Sequence, residues 1–127
     1  MAVILDTNAL SAWLDGDQQI ERHLQAAERI ALSPIALGEF RFGVLTSRYR
    51  DKYEQQLRLV EQEFPPLPIS GITAANYAVL RRQLALQGRP IPWHDLWIAA
   101  QARQYHLPVL SRDEHFDLVP DVRRVSW

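Results

Sequence analysis

Four apolar residues, Ala2-Val3-Ile4-Leu5, run without interruption into Asp6, and Thr7 and Asn8 follow. A continuous run this short, with β-branched residues inside it, predicts a strand covered on both faces. Such a strand calls for a parallel sheet with helices on each side. Asp6 then stands where the chain leaves the sheet, the edge at which ligands bind in open α/β folds. Thr7 or Asn8 is expected to cap a helix starting near Ala9.

The remaining chain alternates in the same way. Asp17 can cap a helix over roughly 18–27, with Ile20, Leu24 and Ala27 on one face. Ile30-Ala31-Leu32 is a second brief apolar run, and Ser33-Pro34 supplies a cap and a first helical position. The helix from Pro34 to about Thr46 places Glu39 in the row Ile35, Glu39, Phe42, Gly43, which is read as a buried row holding a carboxylate in need of a partner. Tyr49, Tyr53, Leu57, Val60 and Phe64 mark an amphipathic helix that Pro65-Pro66 ends. Leu67-Pro68-Ile69 is expected as a weak strand near an edge, because of its proline. Tyr77, Leu80 and Leu84 mark the next helix, stopped by Gly88, and Pro90-Ile91-Pro92 leads into a helix from His94 to about Tyr105. Pro108-Val109-Leu110 and Val122–Val125 are further strands, and Ser111-Arg112-Asp113-Glu114 can form a capping box. The expected architecture is a three-layer α/β/α sandwich about a mostly parallel sheet of four or five strands, one domain over residues 1–127.

Composition narrows the function classes. The net charge is −1, so no overall basic field marks a nucleic-acid binder, but thirteen arginines stand against one lysine, Lys52. Guanidinium forks match phosphate better than ammonium groups do, and Arg41, Arg48, Arg50, Arg81, Arg82 and Arg89 are candidates for that contact or simply solvated. Without cysteine there is neither a disulfide framework nor thiolate chemistry. No apolar run approaches the roughly 20 residues of a membrane span, and the expected setting is cytoplasmic.

Four carboxylates fall at or near the predicted carboxyl edge: Asp6, Glu39, Asp95 and Asp113. Singly, each has an ordinary explanation: Asp6 as a helix cap, Asp95 and Asp113 as first-turn acids, Glu39 as the partner of Arg41, Arg48 or another arginine. Jointly they do not. Two unit charges about 5 Å apart repel by roughly 3 kcal/mol at an effective dielectric near 20, so the group must protonate or hold cations. Carboxylates favour Mg²⁺ or Mn²⁺, and His23, His94, His106 and His115 show no zinc-ligand spacing.

The ordered segments Val3-Ile4-Leu5-Asp6-Thr7-Asn8, Ser33-Pro34-Ile35-Ala36-Leu37-Gly38-Glu39, His94-Asp95-Leu96-Trp97-Ile98-Ala99-Ala100 and Leu110-Ser111-Arg112-Asp113-Glu114-His115-Phe116 resemble those of PIN-domain ribonucleases, above all the VapC-type toxins of bacterial toxin–antitoxin pairs. The resemblance implies a metal-dependent endoribonuclease in which Asp6, Glu39, Asp95 and Asp113 hold Mg²⁺ or Mn²⁺, with Thr7, Asn8 and Ser111 as polar supports beside them. It further implies an RNA substrate, a cognate antitoxin protein, a homodimer, and operator DNA reached only through the antitoxin. Trp93 and Trp97 flank Asp95 where smaller residues are common in the family, as groove-narrowing or contact residues, and Asp117 is read as solvated or capping. The alternatives are a housekeeping or DNA-directed nuclease of this fold group, or a non-catalytic interaction module on the same scaffold. A receiver-like signalling domain would need an Asp after the third strand and a Lys in the pocket, and neither is present.

Overall fold

The opening run becomes β1 (Ala2–Leu5), and its last three residues are fully covered. In this computed structural model, which describes Met1–Trp127, helix α1 (Thr7–Leu14) follows after a single residue. The element order continues through α2 (Gln18–Ala26), β2 (Arg29–Ala31), α3 (Pro34–Val44), α4 (Arg50–Glu63), α5 (Gly71–Leu86) and α6 (Trp93–Tyr105). It closes with β3 (Val109–Leu110), a 3₁₀ turn (Glu114–Leu118) and β4 (Arg124–Val125).

The sheet has four strands in the order β2-β1-β3-β4, and every neighbouring pair is parallel. Val3 faces Ile30 and Ile4 faces Ala31 on one side of β1, while Ile4 and Leu5 register with Val109 and Leu110 on the other. The connection from β1 to β2 runs one way along the sheet and the connection from β2 to β3 returns past β1. The direction of winding therefore changes between β1 and β3, and α1 packs against α3 and α4, where Trp13 meets Phe64 at 5.6 Å and Tyr53 donates to Asp15 at 2.7 Å. The carboxyl ends of those two strands are Leu5 and Leu110, so the crevice opens beside Asp6 and Ser111.

Local signals act where the sequence places them. Asp17 accepts from the amides of Gln19 (2.8 Å) and Ile20 (3.2 Å) at the start of α2, and Ser33 accepts from Ile35 N–H (3.1 Å) ahead of Pro34. Gly88, at φ +65°, follows the end of α5 in the left-handed conformation that glycine adopts without strain. One contiguous core joins Val3, Ile4 and Leu5 to Leu57, Leu80, Leu84, Ile98, Leu110 and Phe116.

Three expectations fail here. Residues 65–70 form no strand. Pro65, Pro66 and Pro68 remove three donors from one ladder, so Leu67 alone pairs with the sheet side, donating to Leu32 O at 2.9 Å, while buried Gln101 donates to Leu67 O at 3.1 Å. The cap of α1 is Asp6 itself, not Thr7 or Asn8, because the helix begins one residue after the strand. The buried row of α3 is Ala36, Leu37 and Val44, whereas Phe42 is 78% exposed and Glu39 lies on the helix margin. Glu39 is thus an edge residue facing a cleft, not a charge forced into the core.

Phe116, with no exposed surface, is the largest fully buried side chain and roots the 3₁₀ turn in the core. Replacing it by Ala is expected to cost about 3–5 kcal/mol, and by Leu about 1.5 kcal/mol or less, in urea unfolding. A loss below about 1 kcal/mol for Phe116→Ala would mean that the turn is not anchored this way.

Candidate active site

Asp6 is the first residue past β1 and is 2% exposed. Its Oδ1 accepts from Ala9 N–H at 2.8 Å, which caps α1, and its Oδ2 accepts the hydroxyl proton of Ser111 from the end of β3. Ser111 Oγ in turn accepts from Asp113 N–H at 2.9 Å. One carboxylate thus joins the ends of the two central strands and sets the path of the segment that carries Asp113. That acid is the cap of the 3₁₀ turn, accepting from His115 N–H at 3.3 Å, so the capping box expected from Ser111 and Glu114 is not formed.

Asp95 sits in the first turn of α6 and is 8% exposed. Glu39 reaches in from α3, where Thr7 Oγ1–H donates to its Oε1 at 3.2 Å. These four acids, with Thr7, Asn8, Pro92, His94 and His115, line a cavity of about 300 Å³ that contains no hydrophobic side chain. All four predicted acids therefore meet in one place, and of the three polar neighbours named from the sequence, Thr7 and Ser111 bond directly to Glu39 and Asp6 while Asn8 lines the wall.

No arginine enters the cavity. Arg41 is held by Glu61 at 2.9 Å, Arg50 by Glu54, and Arg124 forms a two-pronged pair with Asp117 at 2.9 and 3.0 Å. Asp117 is exposed and outside the cavity, paired on the surface with Arg124, whose guanidinium holds its carboxyl below the usual range.

The compensating groups are two histidines that sequence spacing did not single out. His94 Nε2 lies 3.6 Å from Glu39 Oε2 and 3.5 Å from Asp95 Oδ2. His115 Nε2 lies 2.8 Å from Asp95 Oδ2, and its Nδ1 2.9 Å from Asp113 Oδ1. A signal existed: each histidine is next to, or two residues from, a predicted acid, and each begins a helical turn whose first residues face the sheet edge. Metal-site spacing rules look for histidine pairs on one element, and these come from two.

Burial pushes the carboxyls of Asp6 and Asp95 above the ordinary aspartate value. For Asp6 the bonds from Ser111 and Ala9 oppose this, and for Asp95 the neighbouring His94 and His115 do. One ligand atom each from Asp95, Asp113 and His115 lies within 4.8 Å of the others, whereas Asp6 and Glu39 stand outside that tight group on the same cavity wall. Buried oxygens whose ionised form is costly, together with an imidazole and no competing guanidinium, fit a divalent cation.

In metal-free protein the two raised carboxyls contribute stability below the ordinary aspartate value of 3.8, and that contribution is lost as pH rises through their raised values. With chelator present, Asp6→Asn is therefore expected to raise Tm by a few degrees at pH 7 and to give no such gain near pH 3.5. Equal Tm values at pH 7 would show that Asp6 is not strained by its charge.

Comparison with known proteins agrees with the arrangement. The PIN domain model matches residues 3–122. Ribonuclease VapC5 of Mycobacterium tuberculosis is 36% identical over 117 residues, covering 91% of this chain and 85% of that protein. The crystal structure of VapBC-5 from Mycobacterium tuberculosis, a member of the VapBC family of toxin–antitoxin systems, superposes with a TM-score of 0.74 at 34% identity over 98% of both chains. A structure of FitAB bound to an IR36 DNA fragment gives 0.83 at 28% identity, covering 99% of this chain and 94% of that one. The chain belongs to the PIN domain family.

Proposed function

We propose that this protein is a divalent-metal-dependent endoribonuclease and the toxin of a type II toxin–antitoxin pair. The observation that carries the reading is the convergence of Asp6, Glu39, Asp95 and Asp113 in one polar cavity from which every arginine is absent. A nuclease site must tolerate the phosphodiester's own negative charge among its acids, and cations resolve that conflict where arginines would fill the space. The ribonuclease named among the relatives gives RNA as the substrate class.

In this reading Asp6, Asp95 and Asp113 would hold the ion (Mg²⁺ or Mn²⁺), with Glu39 binding it directly or through water. When bound, such an ion would make water a better nucleophile near neutral pH and offset charge on the phosphate oxygens. The chain's own contribution is orientation. Thr7 fixes the Glu39 rotamer, Ser111 fixes Asp6, and the backbone amide of His115 fixes Asp113. Burial of Asp6 and Asp95 keeps water from screening the site.

The VapBC and FitAB likenesses support the partners expected: a small antitoxin that covers the acidic cavity, and operator DNA contacted by the antitoxin. A homodimer follows from the same family reading. No helix is long and apolar enough to cross a membrane, and a cytoplasmic setting suits an RNA substrate.

Asp6→Asn is expected to retain the circular dichroism of the parent and to lower Mg²⁺- or Mn²⁺-dependent cleavage of single-stranded RNA by about 100-fold or more. Undiminished cleavage by the variant, purified through the same steps, would overturn the assignment.

A further inference from the structure

We propose that His115 is a nitrogen ligand of the ion in the acidic cavity, and that it biases the site toward a transition ion such as Mn²⁺ over Mg²⁺. This rests on the reading of the cavity as a metal site and goes beyond its carboxylates. His115 Nε2 lies 2.8 Å from Asp95 Oδ2, is shielded from solvent, and yet makes no hydrogen bond. The two atoms are close, yet the contact does not meet hydrogen-bond geometry. An ordinary histidine–aspartate pair would align its N–H on the carboxylate. Two ligands of one ion behave differently, because each aims at the ion and not at its neighbour. Adjacent corners of an octahedron with bonds near 2.1 Å are about 3 Å apart, close to the separation seen.

The other ring nitrogen, Nδ1, stands 2.9 Å from Asp113 Oδ1. The ring is held as well. Its own backbone amide bonds to Asp113, the adjoining Phe116 packs 4.8 Å away as a core anchor, and the side chain is 21% exposed. His94 lacks these restraints. Its side chain is 44% exposed and its contacts with Glu39 and Asp95 are 3.6 and 3.5 Å. Imidazole nitrogen binds first-row transition ions far better than Mg²⁺, which prefers oxygen and keeps its water.

The test uses the full chain freed of metal, with Mn²⁺ as the probe. Pulsed electron paramagnetic resonance of one equivalent of bound Mn²⁺ is expected to show ¹⁴N coupling from a directly bound imidazole, retained in His94→Asn and lost in His115→Asn and His115→Gln. Competition titration should show the preference for Mn²⁺ over Mg²⁺ falling about tenfold in both His115 variants, with circular dichroism unchanged. Bound Mn²⁺ with no nitrogen coupling, or coupling that survives both His115 substitutions, overturns the inference while leaving the carboxylate site standing. Failure of the parent protein to bind either ion overturns both.

Discussion

Everything at the site hangs on a buried carboxylate that belongs to two elements at once. One oxygen of Asp6 closes the first turn of α1, and the other takes the hydroxyl of Ser111 at the end of β3. A helix cap is a local device, and any of several small polar residues can supply it. A link from the first strand to a residue 105 positions later is not local. It holds the carboxyl ends of the two central strands together at the place where the winding of the sheet changes direction, so the crevice cannot widen without breaking a charge-assisted bond.

The same position makes the site electrostatically expensive. Asp6 and Asp95 are desolvated, and Asp113 adds to the repulsion that each feels. Part of the offset is structural: Asp6 and Asp113 cap helical turns, and Asp95 lies in the first turn of α6, where free amides favour negative charge. The histidines supply more, without the permanence of a guanidinium. An arginine at that position would neutralise the cavity at every pH and occupy it. Imidazoles leave the acids available to a cation, which is the difference between a structural ion-pair network and a site built to bind.

The sheet and the acids were legible because both depend on short-range chemistry. An apolar run ending in Asp6, a Ser-Pro before α3 and a glycine after α5 each act within a few residues, and all three appear where expected. What failed depended on registers that no local pattern states. The row of Glu39 also holds Ile35 and Phe42 and so reads as buried, yet α3 turns a different face, with Ala36, Leu37 and Val44, to the core. Leu67-Pro68-Ile69 reads as a strand by composition, but Pro68 and the prolines before it lack the donors that a ladder needs, and side chains of α6, Gln101 and Tyr105, take the carbonyls of Leu67 and Pro68. The histidines were overlooked because His94 and His115 are 21 positions apart in sequence, and only the packing of α6 against the end of β3 makes them neighbours.

The cavity separates chemistry from selection. Its nine lining residues include no tryptophan, tyrosine or arginine, so nothing inside can fork a phosphate, and the only rings there are the imidazoles of His94 and His115. Trp97, which flanks Asp95 in sequence, is turned away and stacks on Tyr77 at 4.0 Å, nearly parallel. Trp93, 66% exposed at the head of α6, lies under Arg81 at 5.0 Å on the other side of Pro92. A site of this kind recognises a phosphate chiefly by its charge, through whatever ion the acids hold. Choice among RNAs therefore draws on the surface around the opening as well, where Trp93 and Arg81 stand, while the buried acids stay the same for every substrate presented to them.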